Sequence, residues 1–180
     1  MPCDKSALFD FLSVLNEDLT KKITLVAAGG TAMTLLDLKS STIDIDFTIP
    51  SIDRVQFEKA LKNNPPGYKV DRWTDGCVFC QTLPNDYLEN SIKIKEFSHI
   101  SLRALQPVDI IVTKIGRLNA RDMQDIEACI QKANVSEAKI RERALLVVQT
   151  YVGPEEEYIY HLNLVLDKFF KRHPTHSTET

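Results

Sequence analysis

Residues 43–49, Ile-Asp-Ile-Asp-Phe-Thr-Ile, constrain the fold more than any other stretch of the chain. Apolar and polar residues alternate strictly and β-branched residues dominate, which is the period of a strand with one face in a core. Pro50 ends the run. In such a strand Asp44 and Asp46 share a face, with Cα atoms roughly 6.6 Å apart, so their carboxylates can converge on one hard divalent ion. Ile43, Ile45 and Phe47 then face the core. A plain amphipathic strand with a solvated polar side is the competing reading. Against it, Asp is disfavoured in strands, and two on one face repel unless a cation or donor lies between them.

Upstream, residues 23–28 form a short apolar run that stops at Gly29-Gly30 and is followed by a helical segment from Thr31. A glycine pair between strand and helix lets the backbone approach a ligand closely, and free N–H groups at Thr31 suit an anion such as phosphate. The remaining periodicities predict an opening amphipathic helix over 6–19 and a helix from Asp53, with Gln56 completing a capping box. Strands or extended segments follow over 68–73, 77–83, 92–97 and 100–105. Pro107 opens a helix, and further helices follow over 123–132, over 136–151 and after Gly153-Pro154. No internal repeat is visible. The expected architecture is α/β (α+β): a mixed sheet with flanking helices in residues 1–105, a helical region over 106–172 packed on it, and a flexible tail at 173–180.

Composition narrows the function classes. A chain of 180 residues with 43% hydrophobic content supports one buried core. A net charge of −3 gives no global attraction to nucleic acid, so such contact needs a local patch. The absence of a run of about 18 apolar residues, or of a charged-then-apolar opening, predicts a cytoplasmic protein with no membrane partner. The four cysteines, Cys3, Cys77, Cys80 and Cys129, are expected to be free thiols. Cys77 and Cys80 have zinc-knuckle spacing, but no second pair follows, and His99 and His161 stand alone. The stripe Leu162, Val165, Leu166, Phe169 and Phe170 suits burial in the chain's own core more than an interface.

The segment Val26-Ala-Ala-Gly29-Gly30-Thr31-Ala-Met-Thr-Leu-Leu36, followed by Thr42-Ile-Asp44-Ile-Asp46-Phe47, resembles the signature of the nucleotidyltransferase (polymerase-beta-like) superfamily. There a glycine pair opens the first helix and an acid-hydrophobe-acid strand follows. Lys114-Ile-Gly-Arg117-Leu-Asn-Ala-Arg121-Asp122-Met-Gln-Asp125-Ile126 is similar to the lysine and Arg-Asp-x-x-Asp segment of AbiEii-like toxin nucleotidyltransferases. The resemblance spans roughly residues 25–130. It implies a nucleotidyltransferase-type mixed sheet in which Gly29, Gly30, Thr31 and Lys114 contact a nucleoside triphosphate. Asp44 and Asp46 become ligands of Mg2+ or Mn2+, with Asp44, Asp46 and Lys114 as the catalytic set. The acceptor it implies is RNA or protein, and the toxin likeness adds an antitoxin-like partner.

On the helical reading, Arg121 and Asp125 lie one turn apart and form a structural ion pair, with Asp122 a helix cap and Lys114 nearly as readable as a surface lysine. One departure bears on activity. Catalytic members of the superfamily carry a third carboxylate on a neighbouring strand, and residues 77–83 contain none. Cys80 is the expected occupant of that position, with Asp75, Asp86 and Glu96 the nearest acids in sequence. A missing acid would remove a metal ligand or a base and cost orders of magnitude in rate. The competing function is therefore a degenerate nucleotidyltransferase fold that binds nucleotide or a partner without catalysis.

Overall fold

The computed structural model describes residues 2–171. The elements run β1 (Cys3–Asp4), α1 (Lys5–Asp18), β2 (Ile23–Ala27), α2 (Gly29–Leu35), β3 (Ser41–Thr42), β4 (Ile45–Ile49) and α3 (Ser51–Asn63). Next come β5 (Val70–Thr74), β6 (Cys77–Val78), β7 (Gln81–Thr82), α4 (Tyr87–Asn90), β8 (Ile92–Glu96) and β9 (Ile100–Ala104). The helices α5 (Pro107–Ile115), α6 (Ala120–Ala133), α7 (Glu137–Val147) and α8 (Glu155–Phe170) complete the described chain. A 3-10 turn, Val148–Thr150, follows α7.

The main sheet has the order β5-β4-β2-β9-β8. It is mixed, because β4 runs parallel to β5 and β2 parallel to β9, while β2–β4 and β8–β9 are antiparallel. The step from β4 through α3 to β5 is a crossover unit, the connection that parallel neighbours need. Alternation along β4 sends successive side chains to opposite faces. Phe47 meets Phe57 of α3 edge-on at 5.9 Å, and Asp46 meets Gly29 of α2 on the other side. The sheet is thus covered on both faces, which is why every residue of β4 is buried.

The strand is shorter than its alternation predicts. β4 begins at Ile45, so Asp44 precedes it and Ile43 is 55% exposed rather than in the core. Other boundaries move for identifiable reasons. Helix α3 starts at Ser51, whose N–H donates to Asp75. Asp53 is no cap: its carboxylate accepts from Thr24 N–H at 2.8 Å and ties α3 to β2. Residues 77–83 form a hairpin instead of one strand, because Phe79 turns the chain at φ +56. Helix α6 starts at Ala120, capped by Asn119, three residues earlier than expected.

The C-terminal helices share the core with the sheet. Tyr158, Leu162, Val165 and Leu166 of α8 are buried, Tyr158 Oη donates to Val112 C=O at 3.0 Å, and the stripe is therefore a packing face against α5. The expected tail at 173–180 lies outside the described residues. The four cysteines are free, Cys3 and Cys129 fully buried.

One buried ion pair holds α5 and α7 together. Asp109 is wholly inaccessible, and Arg143 donates to it through Nε at 2.5 Å and Nη2 at 3.3 Å while Nη1 reaches Asp86 at 2.8 Å. Burial pushes the Asp109 carboxyl above its ordinary range against the pull of Arg143. Removing the guanidinium leaves a buried carboxylate with its main partner gone. Arg143→Met is expected to cost about 3–5 kcal/mol in urea unfolding, and Arg143→Met with Asp109→Leu to recover part of that loss. A single-variant loss below about 1 kcal/mol would contradict this account.

Candidate active site

A cavity of about 600 Å3 opens on the Asp46 side of the sheet. Its position follows from how α2 starts. Gly29 adopts φ +50, and a Cβ there would stand 2.7 Å from Asp46 Oδ2; a Cβ on Gly30 would stand 2.6 Å from Thr42 Oγ1. Only residues without side chains let the helix begin this close to β4. The proximity is then fastened by hydroxyls. Thr31 Oγ1 accepts from Asp46 N–H at 2.9 Å and donates to Asp44 C=O at 3.2 Å, and Thr42 Oγ1 donates to the same carbonyl at 2.9 Å.

The structure brings the turn and both acids of the sequence pattern together, with different assignments of task. Gly30, Asp44 and Asp46 line the cavity. Gly29 and Thr31 are buried behind it, and the Thr31 hydroxyl is spent on positioning the two acids.

A third carboxylate lies beside them. In the parallel pairing of β4 with β5, Asp46 is in register with Asp71, and Asp71 also lines the cavity. Residues in register in a parallel pair point the same way, about 4.8 Å apart at their Cα atoms. Lys69 Nζ lies 2.6 Å from Asp71 Oδ2. Burial, then Asp71, pushes the Asp46 carboxyl up to about 7; Asp44 adds to this, while Arg117 and Lys114 pull it down. Among the described residues no three His, Cys, Asp or Glu side chains are gathered tightly enough to hold a metal ion. Asp44, Asp46 and Asp71 line one wall, with the Lys69 ammonium on the last of them.

None of the other acids considered from sequence reaches this cavity. Cys80 does not line it; its Sγ points to Gln81 Oε1 at 3.4 Å, and burial raises the thiol. Asp75 accepts from Ser51, Asp86 pairs with Arg143, and Glu96 accepts from Ser101 and pairs with Lys22. A signal for Asp71 was present. Strand, helix, strand in succession is a crossover unit, so the strand after α3 is the natural neighbour of β4.

The cavity lining also carries cations, among them Lys39, Lys114 and Arg117. Lys114 is 2% exposed, and its Nζ sits 2.9 Å from Asp122 Oδ1 and 2.8 Å from Asp125 Oδ2. It is not a surface lysine. Lys39, from the loop after α2, bonds Asp125 Oδ1 at 2.9 Å. Burial raises the Asp125 carboxyl, but the bonds from Lys114 and Lys39 outweigh it and hold the group below the usual carboxylate range. Arg117 donates to Asp122 Oδ1 at 3.1 Å, with Nε 3.1 Å from Oδ2 and out of hydrogen-bond alignment. The same guanidinium lies 3.7 Å over the Phe79 ring.

Two expectations are corrected here. Asp125 points inward to the two lysines and makes no pair with Arg121, which stands exposed at the cavity mouth. Asp122 caps nothing; Asn119 Oδ1 accepts the Asp122 N–H, and the Asp122 carboxylate is buried on Lys114.

Two solved structures share the fold. One is the crystal structure of ANT(2'')-Ia in complex with adenylyl-2''-tobramycin, with a TM-score of 0.53 and 13% identity over 78% of this chain and 95% of that one. The other is the solution structure of the antibiotic-resistance factor ANT(2'')-Ia, with a TM-score of 0.52 and 12% identity over 77% and 87%. At such identities the likeness is one of fold. No curated protein matches the chain by sequence. The model of the family described as "Nucleotidyltransferase of unknown function (DUF6036)" matches residues 6–173. With nearly the whole chain matched and the polymerase-beta-like fold in place, this protein belongs to that nucleotidyltransferase family.

Proposed function

We propose that the chain is a divalent-metal-dependent enzyme that moves a nucleotidyl group from a nucleoside triphosphate to a hydroxyl on an RNA or protein acceptor. The observation that carries this reading is Asp46, buried in register with Asp71 and close to Asp44, facing a cavity that is also lined by Lys39, Lys114 and Arg117. Asp46 is buried beside two half-buried acids, and like charges so placed resist joint ionisation, which favours a bound cation. Asp44, Asp46 and Asp71, which would have to draw together around the ion, are the residues that would hold Mg2+ or Mn2+, which would supply neutralisation of charge on the phosphates and the leaving oxygen.

The chain's own groups divide the remaining work. Lys114, braced by Asp122 and Asp125, and Lys39 offer ammonium charge to the phosphates, and Gly30 leaves the cavity floor free of a side chain. Asp71, oriented by Lys69, takes the proton of the acceptor hydroxyl. The acceptor oxygen then bonds to the α-phosphorus as the bond to the bridging oxygen breaks, and pyrophosphate leaves. Residues 1–105 supply the acids and 106–172 supply Lys114. The non-catalytic alternative rests on a missing third acid, and the place of Asp71 beside Asp46 favours the catalytic reading over it. A toxin-like role with an antitoxin-like partner rests on the 114–126 segment alone. Among the described residues no helix is long and apolar enough to cross a membrane.

Incubation with each labelled NTP, Mg2+ or Mn2+, and bulk RNA or protein is expected to label an acceptor. Asp71→Asn should lower that rate at least about 100-fold, whereas Cys80→Ala should hold it within about twofold. The reverse ranking would sink the assignment of Asp71.

A pH dependence follows from Asp46. The folded chain keeps this proton up to about pH 7, whereas an unfolded aspartate loses it near pH 4. Its contribution to stability is therefore fully present below about pH 4 and is lost as pH rises through about 7. A metal ion must displace the same proton, so metal affinity should rise up to about tenfold per pH unit below 7 and level off above it. Thermal unfolding with Mn2+ at pH 6, 7 and 8 checks this. A metal-induced shift that ignores pH, or that survives unchanged in Asp46→Asn, would count against the site.

A further inference from the structure

The metal and phosphate groups of the reading above leave one end of the cavity unused. There Trp73 and Phe79, both half-buried, stand in a cavity otherwise lined largely by charged and polar groups. Trp73 is two residues beyond Asp71 on β5, on the same face. Phe79 is held at φ +56, a backbone conformation costly for a bulky residue and concentrated at functional sites. Its ring meets the Trp73 ring at 5.1 Å and 72°, its tip would touch a Cβ on Gly29 at 3.1 Å, and one of its faces is covered by Arg117 at 3.7 Å. Phe79 is therefore used up as a prop. Among the described residues no ring lies parallel to the Trp73 indole and no cation sits over it.

Resting on the nucleotidyltransferase reading, we propose that the Trp73 indole is the stacking face for a nucleobase of the bound substrate, held upright by Phe79 and Arg117. Stacking on an aromatic ring accepts every base, because each has a π-face, so the chain should discriminate little among the four NTPs. A flat ring seated there lies within a strand step or two of Asp71 and Asp46. The base can belong to the NTP or to an RNA acceptor; the chemistry at Trp73 is the same.

The chain has a single tryptophan, so emission from the unmodified chain reports on this position alone. Titrations use ATP, GTP, CTP and UTP with Mg2+, inorganic tripolyphosphate with Mg2+, and single-stranded RNA without NTP. Each NTP should quench the emission, while tripolyphosphate should bind, by calorimetry, without quenching. Trp73→Leu should weaken all four NTPs about tenfold and leave tripolyphosphate unchanged, and Trp73→Phe should stay within about twofold. Tripolyphosphate binding also shows that each variant is folded. Quenching by RNA and not by NTPs supports the stacking face and assigns it to the acceptor base. Bound NTP without quenching, together with Trp73→Leu at wild-type affinity and no response to RNA, overturns the stacking face and leaves the phosphate site standing. If neither NTP nor tripolyphosphate binds the wild-type chain, the nucleotidyltransferase reading falls with it.

Discussion

The approach of Gly29 to Asp46 is the contact on which the rest of the site depends. A helix normally keeps a side chain's width from the strand it follows. Here that width is absent, since a single Cβ would drive into Asp46 Oδ2 at 2.7 Å. Because α2 lies so close, Thr31 can bond the Asp46 amide and the Asp44 carbonyl at once. Those bonds hold Asp44 in place although it lies outside β4. Moved outward by the size of a methyl group, α2 would release the loop bearing Asp44 and the Lys39 that follows the helix. The left-handed φ of Gly29 is the local conformation that makes the approach possible.

Charge is distributed unequally across the cavity. On one wall Lys114 and Lys39 are matched against Asp122 and Asp125, and the paired state of Asp125 appears as a depressed carboxyl. That wall is electrostatically complete and can be buried without a ligand. On the other wall Asp46 has Asp71 and Asp44 for neighbours, and its carboxyl is raised. Asp71 is answered by Lys69, whereas the buried Asp46 carboxylate has no ion-pair partner of its own among the described residues, and its desolvation costs stability. The same asymmetry sets the paired Asp122 and Asp125 apart from the three acids for which a ligand role is proposed.

Much of this was legible in residue order. The strand of β4, the glycine turn, Pro107 at the start of α5 and the amphipathic α1 and α8 all rest on local periodicity and turn chemistry, which act within a few residues. Where two local signals competed, the neighbours decided. Residues 77–83 read as a continuous β-rich run, yet Phe79 gains enough from Trp73 and Arg117 to hold a turn that its own preference opposes.

The sequence by itself determined that a glycine pair and two acids sit on consecutive elements of an α/β chain, because the spacing of β2, α2 and β4 leaves them little room to separate. It also placed Lys114 on a helix near two aspartates. Only the tertiary structure decided which strand lies beside β4, and with it that Asp71, not Cys80, stands next to Asp46. It alone turned Asp125 from Arg121 toward Lys39, a partner 86 residues away. Strand adjacency and long-range ion pairs are set by which arrangement buries the most apolar surface with every buried charge answered, and that balance is struck over the whole chain at once.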